Sequence, residues 1–459
     1  MSTAGVEISF ERELATIVGQ ENVRIPGAGT EMEINGVTPA TAASPASPEQ
    51  VARILKMANQ KGLIVAPSGG CTQQDIGGVP ERIDILLSMA RMSGIEHYDP
   101  GDLTMGVNAG TPFAAAQARL EEHHQWLPCD AANLDRATFG GLLATGAAGP
   151  LKSAFGGMRD FCIGVEFVTA DGKIAKGGGR VVKNVAGYDL MKLMIGSYGS
   201  LAVITKANFK VFPQPRQTRT FICCFASPQE ALKFRTKVLH SPLAPMCLEI
   251  ISPRAQEYLC DPPQVRDADH YAPKIPLPEF PSQWQIVLRA AGTDSVLDRY
   301  RRELGSAVAR ELEGESEHQF WNWVSHFEHA VLGRHRNAMV VYTHLAIQDV
   351  APAIAAQDRV APEHNLLSIM LGRAATGNLV MALVPLPVDP PSAMQYANFV
   401  SAFRGMLPPG SSAEVAHCPK EAKPYFDVWG STPTDVDMMK AVKHALDPNN
   451  ILNRGRFIV

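Results

Sequence analysis

The chain has 459 residues, 46% of them hydrophobic and 19% charged, with Gly 38 and Pro 34; at roughly 150 residues per domain this makes two or three ordinary globular domains and excludes a disulfide-stapled miniprotein or a disordered chain. Lys+Arg 42 against Asp+Glu 46 leave a formal charge of -4 and a pI near 6.4, so no broad basic surface is offered to nucleic acid or anionic lipid, and a small-molecule substrate is expected.

The first twenty residues have no basic flank and no apolar run of signal-peptide length, and nowhere do about 18 apolar residues run together. A cytoplasmic chain with no direct membrane insertion is the expectation. Ser47-Pro48-Glu49-Gln50 is a capping box with proline at the first helical position, and it predicts a helix over about 48–60. Leu63 to Ala66 reads as a short buried strand running into Pro67-Ser68-Gly69-Gly70-Cys71-Thr72, a loop of small side chains. Strands follow over about 83–88 and 103–109, and Thr111 is expected to cap a helix reaching about Glu122.

From about 137 to 215 glycines crowd together, at 140, 141, 146, 149, 156, 157, 177, 178, 179, 187, 196 and 199, between strands over about 160–169 and 201–211. Such clustering fits places where backbone must meet a ligand, and several N–H groups turned inward would form a nest for a diphosphate. Pro213 and Pro215 mark a linker near 213–218. Beyond it, Ser227-Pro-Gln-Glu opens a second capped helix, strands are expected at 246–251 and 284–290, and 261–281 is a proline-rich loop. A long charged helix (294–313), an aromatic segment (Phe320, Trp321, Trp323, Phe327), strands near 338–345 and 378–385, and helices near 350–357, 394–406 and from 432 complete a separate α+β region.

Neither G-x-x-x-x-G-K-[ST] nor a strand–G-x-G-x-x-G–helix unit is present, which disfavours a P-loop or a Rossmann site. The eight cysteines include no C-x-x-C pair, so they are expected to be free thiols rather than ligands of zinc or an iron–sulfur cluster. His326-Phe-Glu-His329 has i, i+3 spacing but H-E-x-x-H is absent, and structural or solvated roles are expected for the histidines, with no metal site.

Pro67-Ser-Gly-Gly-Cys-Thr, Ala137-Thr-Phe-Gly-Gly-Leu-Leu-Ala-Thr-Gly, Gly157-Met-Arg-Asp, Val182-Lys-Asn-Val-Ala-Gly-Tyr-Asp-Leu, Gly199-Ser-Leu-Ala-Val-Ile-Thr and Lys210-Val-Phe-Pro-Gln-Pro together resemble the FAD-binding domain of the vanillyl-alcohol-oxidase (PCMH-type) flavoproteins. Within that superfamily, Lys183 to Asp189 and the closing Asp447-Pro…Ile-Leu-Asn-Arg-Gly-Arg-Phe are most similar to the FAD-binding E subunits of glycolate oxidase (glycolate dehydrogenase) complexes. The resemblance implies an α+β fold: a PCMH-type FAD-binding domain of two α+β subdomains over 1–215, an α+β cap of antiparallel sheet and helices over 216–415, and a tail over 416–459 returning to the first domain.

It also implies a cofactor site. Pro67, Ser68, Gly69, Gly70, Cys71 and Thr72 resemble the loop around the FAD pyrophosphate. Ala137, Thr138, Gly140 and Gly141 resemble the second loop; Thr145, Gly146 and Gly149 pass the isoalloxazine ring; Val203 and Ile204 contact the cofactor by backbone, and Asn453 reaches back toward the flavin, although Asn-Arg-Gly-Arg stands where Asn-Pro-Gly-Arg is usual. Cys71 occupies the position of the tethering histidine, so FAD is expected to be non-covalent.

The H-x-G-D-G-N and Glu-His-Gly segments of the larger catalytic subunits are absent, and Asn378-Leu-Val-Met-Ala-Leu is a plain strand instead. Arg289, Arg334, Arg336, His326 and His417 each read as readily as surface or satisfied polar residues, so no catalytic residue is assigned. Three functions stay open. The first is a FAD subunit oxidising a 2-hydroxy acid to a 2-oxo acid alongside a larger FAD subunit and an iron–sulfur subunit, peripheral to the inner membrane only through those partners. The others are an independent FAD-linked oxidase or dehydrogenase of another alcohol, and a non-catalytic assembly subunit stabilised by FAD.

Overall fold

The structure, a computed structural model, describes residues 4–180, 189–259, 283–387, 390–430 and 432–458. Most of the Lys183-to-Asp189 motif and the 261–281 loop lie outside the described residues.

Three main sheets organise the chain. A four-stranded sheet runs in the order Val23–Arg24, Thr41–Ala43, Ile85–Ser88, Val65–Ser68, with its last three strands parallel. The Ala4–Val18 and Pro48–Lys61 helices share its apolar core with Ile451 and Leu452 from the other end of the chain. The Pro48–Lys61 helix begins as its sequence demands: the Ser47 side chain accepts the Gln50 N–H, Val51, Ile54, Leu55 and Ala58 are buried, and Gly62 ends it with a φ of 66°.

A five-stranded antiparallel sheet follows, ordered Ile95–Asp99, Thr104–Asn108, Val203–Lys210, Cys162–Val168, Ile174–Gly178. Thr111 does not cap the next helix, which spans Phe113–Glu121 after Pro112. Its hydroxyl instead donates to the Asn108 carbonyl and accepts the Gly94 N–H, because the turn folds Thr111 back onto the strand ends.

Residues 218–417 build an eight-stranded antiparallel sheet whose order is Val308–Leu312, Thr218–Phe225, Trp284–Ala291, Cys247–Ile251, Leu366–Arg373, Asn378–Pro385, Met339–His344, Ser412–His417. Alternation along Cys247–Ile251 sends Leu248 and Ile250 into one core and Cys247 and Ile251 into another. The second core also takes Leu151 from the glycine-rich region and the aromatics Phe320, Trp321, Trp323 and Phe327, so the aromatic cluster is a core stripe. The expected 294–313 helix is two elements: it stops at Leu304, where Gly305 turns the chain with a φ of 58°, and Val308–Leu312 becomes an edge strand.

The tail crosses back. After the Val436–Leu446 helix, the Leu452 backbone bridges to Val65, and the Val65 N–H donates to the Ile451 carbonyl at 2.8 Å. The Lys443 ammonium is buried in this junction and donates to the Ser200 and Leu452 carbonyls and to the Asp447 carboxylate. The whole is α+β, with mixed helices and mostly antiparallel sheets.

Candidate functional site

Strand ends and loops of the first two sheets enclose an open cleft of about 850 Å³. Pro67, Ser68, Gly69, Gly70, Cys71, Thr72, Thr138, Gly140, Gly141, Thr145, Val203 and Ile204 line it. Four other residues named from the sequence stand behind this lining. Ala137 is buried, its N–H donating to the Asn133 carbonyl, and Gly146 ends the Phe139–Thr145 helix in the left-handed region. Gly149 lies against Asp130. Asn453 props the wall: its backbone N–H donates to the Val65 carbonyl and its amide to the Tyr198 carbonyl at 2.5 Å.

Sequence reasoning missed Gln73, Gln74, Met89, Ala109, Ala131, Ala132, Leu142, Ala144, Ala147, Tyr198, Gly199, Ala202 and Arg456, which complete the lining. Arg456 was within reach, as part of the same closing Asn-Arg-Gly-Arg segment that holds Asn453. It is buried, donates to the Gln73 and Ile76 carbonyls, and burial brings its guanidinium down to about 10.

The Gly69-to-Gln74 segment decides what the cleft can hold. Among the described residues, no acceptor pairs with its backbone N–H groups, while Cys71 sits in the left-handed region at a φ of 56°. Left-handed geometry beside right-handed or extended residues turns successive N–H groups to one side, which is a nest for an anion. Unpaired N–H groups facing a cleft otherwise leave desolvated donors. The Thr138 hydroxyl accepts the Gly141 N–H at the start of the Phe139–Thr145 helix, and small side chains along that helix let a flat group approach backbone.

At the Tyr198 end the cleft meets the inner face of the eight-stranded sheet. Arg373 reaches across, its Nε donating to the Gly149 carbonyl at 3.0 Å and its Nη2 to the Ala148 carbonyl at 2.7 Å. Asp130, Tyr198, Glu328, Tyr342 and His417 lie deep in the molecule yet each keeps part of its surface accessible. Tyr342 neighbours Tyr198 and Glu328, Arg373 neighbours Asp130 and Glu328, and His417 neighbours His329, so a seam of polar side chains runs from Tyr198 of the cleft lining under the eight-stranded sheet. Burial pushes the Asp130 carboxyl up to about 6, with the Leu151 N–H and Arg373 opposing. Burial also raises Glu328, whose carboxylate accepts the Tyr342 hydroxyl at 2.5 Å, and holds the Tyr342 phenol well above its usual range. His417 is held down to about 3, uncharged, by burial first and by His329 and Lys423 next. Glu249 is fully buried with both oxygens lacking a hydrogen-bond partner among the described residues, and burial raises its carboxyl well above the ordinary range, against the pull of Arg373.

A family model described as a FAD binding domain matches residues 39–178, and one described as the C-terminal domain of FAD linked oxidases matches 429–457. Residues 39–178 are thus a FAD-binding domain, with a fold of the PCMH type. The cofactor is FAD, and the nest and the glycine loops of the cleft fit a dinucleotide with a central diphosphate. The chain is similar to the glycolate oxidase subunit GlcE of Escherichia coli (strain K12), at 47% identity over 124 residues, which span 27% of this chain and 35% of that protein. It is similar to the glycolate oxidase subunit GlcD of Bacillus subtilis (strain 168) at 25% identity over 97% of this chain and 96% of that protein. A D-lactate dehydrogenase of Archaeoglobus fulgidus is 36% identical over 46% of this chain and 47% of its own. Among solved structures, p-cresol methylhydroxylase with substrate bound superposes with a TM-score of 0.76 over 99% of this chain and 97% of that one, at 15% identity, which is a likeness of fold. No helix among the described residues is long and apolar enough to cross a membrane.

Proposed function

We propose that this flavoprotein is the E-type, FAD-binding subunit of a glycolate oxidase-like complex that oxidises a 2-hydroxy acid to the 2-oxo acid, working with a larger FAD subunit and an iron–sulfur subunit. The observation that carries the reading is the N–H-lined cleft, whose lining residue Tyr198 adjoins Tyr342 of the polar seam, so that a substrate held by the seam would stand at one end of the cofactor. The strong local identity to GlcE supports the subunit assignment, as does the apolar Asn378–Pro385 strand where a self-sufficient site would need metal-binding histidines.

Bound FAD would supply the two-electron acceptor. The chain's own residues would do the rest. The nest from Ser68 to Thr72 would hold the diphosphate; Thr138, Gly140, Gly141 and Thr145 would face the cofactor; and Val203 and Ile204 would back it. Ala137, Gly146, Gly149 and Asn453 would hold the walls that the cofactor touches. Arg373 fixes the wall at Ala148 and Gly149, and the Tyr342–Glu328 pair offers a hydrogen-bonded path for a proton leaving the substrate hydroxyl.

The similarity of most of this chain to a D-lactate dehydrogenase favours a second reading, an independent oxidoreductase. Anaerobic addition of glycolate or D-lactate to the purified chain separates the two. Bleaching of the flavin only after a second flavoprotein and an iron–sulfur protein are added supports the subunit; bleaching of the chain alone supports the independent enzyme. Peripheral membrane association would follow from the partners and is checked by fractionating the native host.

A further inference from the structure

The loop carrying Ala131 and Ala132 into the cleft has its apex at Asn133, which takes a left-handed φ of 54°. Two histidines from the opposite side of the seam hold that apex. The Asn133 backbone N–H donates to His326 Nε2 at 3.0 Å, and the Asn133 amide nitrogen donates to His329 Nε2 at 2.8 Å. His326 Nδ1 in turn donates to the Asn322 carbonyl at 2.8 Å, so its two partners select the tautomer with the proton on Nδ1. His329 is kept uncharged by burial, which brings it down to about 4.

The apex is mechanically joined to the nest. The Arg136 and Ala137 N–H groups both donate to the Asn133 carbonyl. The Arg136 guanidinium donates to the Gly70 carbonyl, and an added Cβ at Gly69 or Gly70 would strike Thr138 or the Arg136 carbonyl at about 2 Å. Displacing Asn133 therefore displaces the surface on which the nest rests.

We propose that Asn133 is a clip through which the cap shapes the FAD cleft, with His326 and His329 as positioning residues for FAD that need not touch it. The i, i+3 histidine pair, whose spacing suits a metal, is thus engaged in gripping a loop. The proposal rests on the assignment of the cleft to FAD.

The test is FAD titration of the stripped full-length chain, read by quenching of flavin fluorescence, with melting of each apoprotein measured alongside. In His326→Leu and in Asn133→Gly, which suits the left-handed backbone and removes only the amide donor, Kd should rise about five- to tenfold, as expected for a lost hydrogen bond. His326→Gln can offer an amide oxygen to the same N–H and should stay within about threefold of wild type, while melting like the Leu variant. Gly141→Leu, inside the cleft and away from the cap, serves as the control and should weaken FAD. Wild-type affinity in His326→Leu and Asn133→Gly, with Gly141→Leu weakened, overturns the clip alone. Equal losses in His326→Leu and His326→Gln overturn it too, since ring packing would then be what matters. Wild-type affinity in Gly141→Leu removes the cleft assignment and the clip with it.

Discussion

Gly70 and the Arg136 carbonyl occupy the same small space: a Cβ built on Gly70 lies 1.9 Å from that oxygen. Gly70 has no positive φ to explain it, so the glycine is required by the close approach of two loops. Gly141 differs, since its Cβ would meet only the Thr138 hydroxyl at 3.3 Å. Gly70→Ala should therefore weaken FAD at least about tenfold by prising the loops apart, whereas Gly141→Ala should be tolerated within about threefold and gain helix propensity. Titration of both apoproteins with FAD checks the contrast, and equal behaviour would contradict it.

Asp130 makes stability depend on pH in a direction opposite to that of most carboxylates. Its carboxyl is raised by burial from 3.8 to about 6, so the folded chain binds a proton that the unfolded chain releases. The stability it contributes is fully present below pH 3.8 and is lost as pH rises through about 6. Asp130→Asn, whose carbonyl can still accept the Leu151 N–H, should gain on wild type by about 2–3 kcal/mol between pH 4 and pH 7 and then plateau. Denaturant midpoints across that range measure it, and a pH-independent difference would rule out the raised carboxyl.

The Lys443–Asp447 pair is buried, at 2.6 Å, and Asp447 also accepts the Ile451 and Leu452 N–H groups at 3.0 and 2.8 Å. Removing the ammonium leaves a carboxylate in an apolar junction, and Lys443→Met should destabilise by about 3–5 kcal/mol. Adding Asp447→Asn should restore part of that loss, because the stranded charge goes with it. A double-mutant cycle on unfolding midpoints decides, with strict additivity the result that excludes coupling.

FAD should leave with acid precipitation, since Cys71 stands where a histidyl tether would form and its Sγ contacts the Ser68 hydroxyl at 3.2 Å within the loop. Yellow colour retained in the washed pellet would establish a covalent link instead.

Local signals were readable where one short segment carries the cause. Ser47 and Ser227 accept from Gln50 and Glu230 as their capping boxes imply, and glycine density located two loops of the cleft. The long 294–313 helix was misread because the charged pattern continues across Gly305 while the 308–312 segment is recruited by Thr218–Phe225 as a sheet partner. Thr111 failed as a cap because tertiary partners outbid the adjacent helix. Tyr198 and Arg456 reach the cleft from segments far from its first loop, and a histidine accepting a distant backbone N–H leaves no periodicity to read.

The bridge between Val65 and Leu452 also makes the cleft a two-piece structure along the sequence. The strand that feeds the nest pairs with Ile85–Ser88 and in addition receives Leu452 beside Val65, and Arg456 donates to the Gln73 and Ile76 carbonyls of the loop that follows. Holding the flavin therefore depends on a segment remote in sequence from the loops that touch it. A chain truncated before Asp447 would keep every strand of the eight-stranded sheet and would fail to hold the flavin.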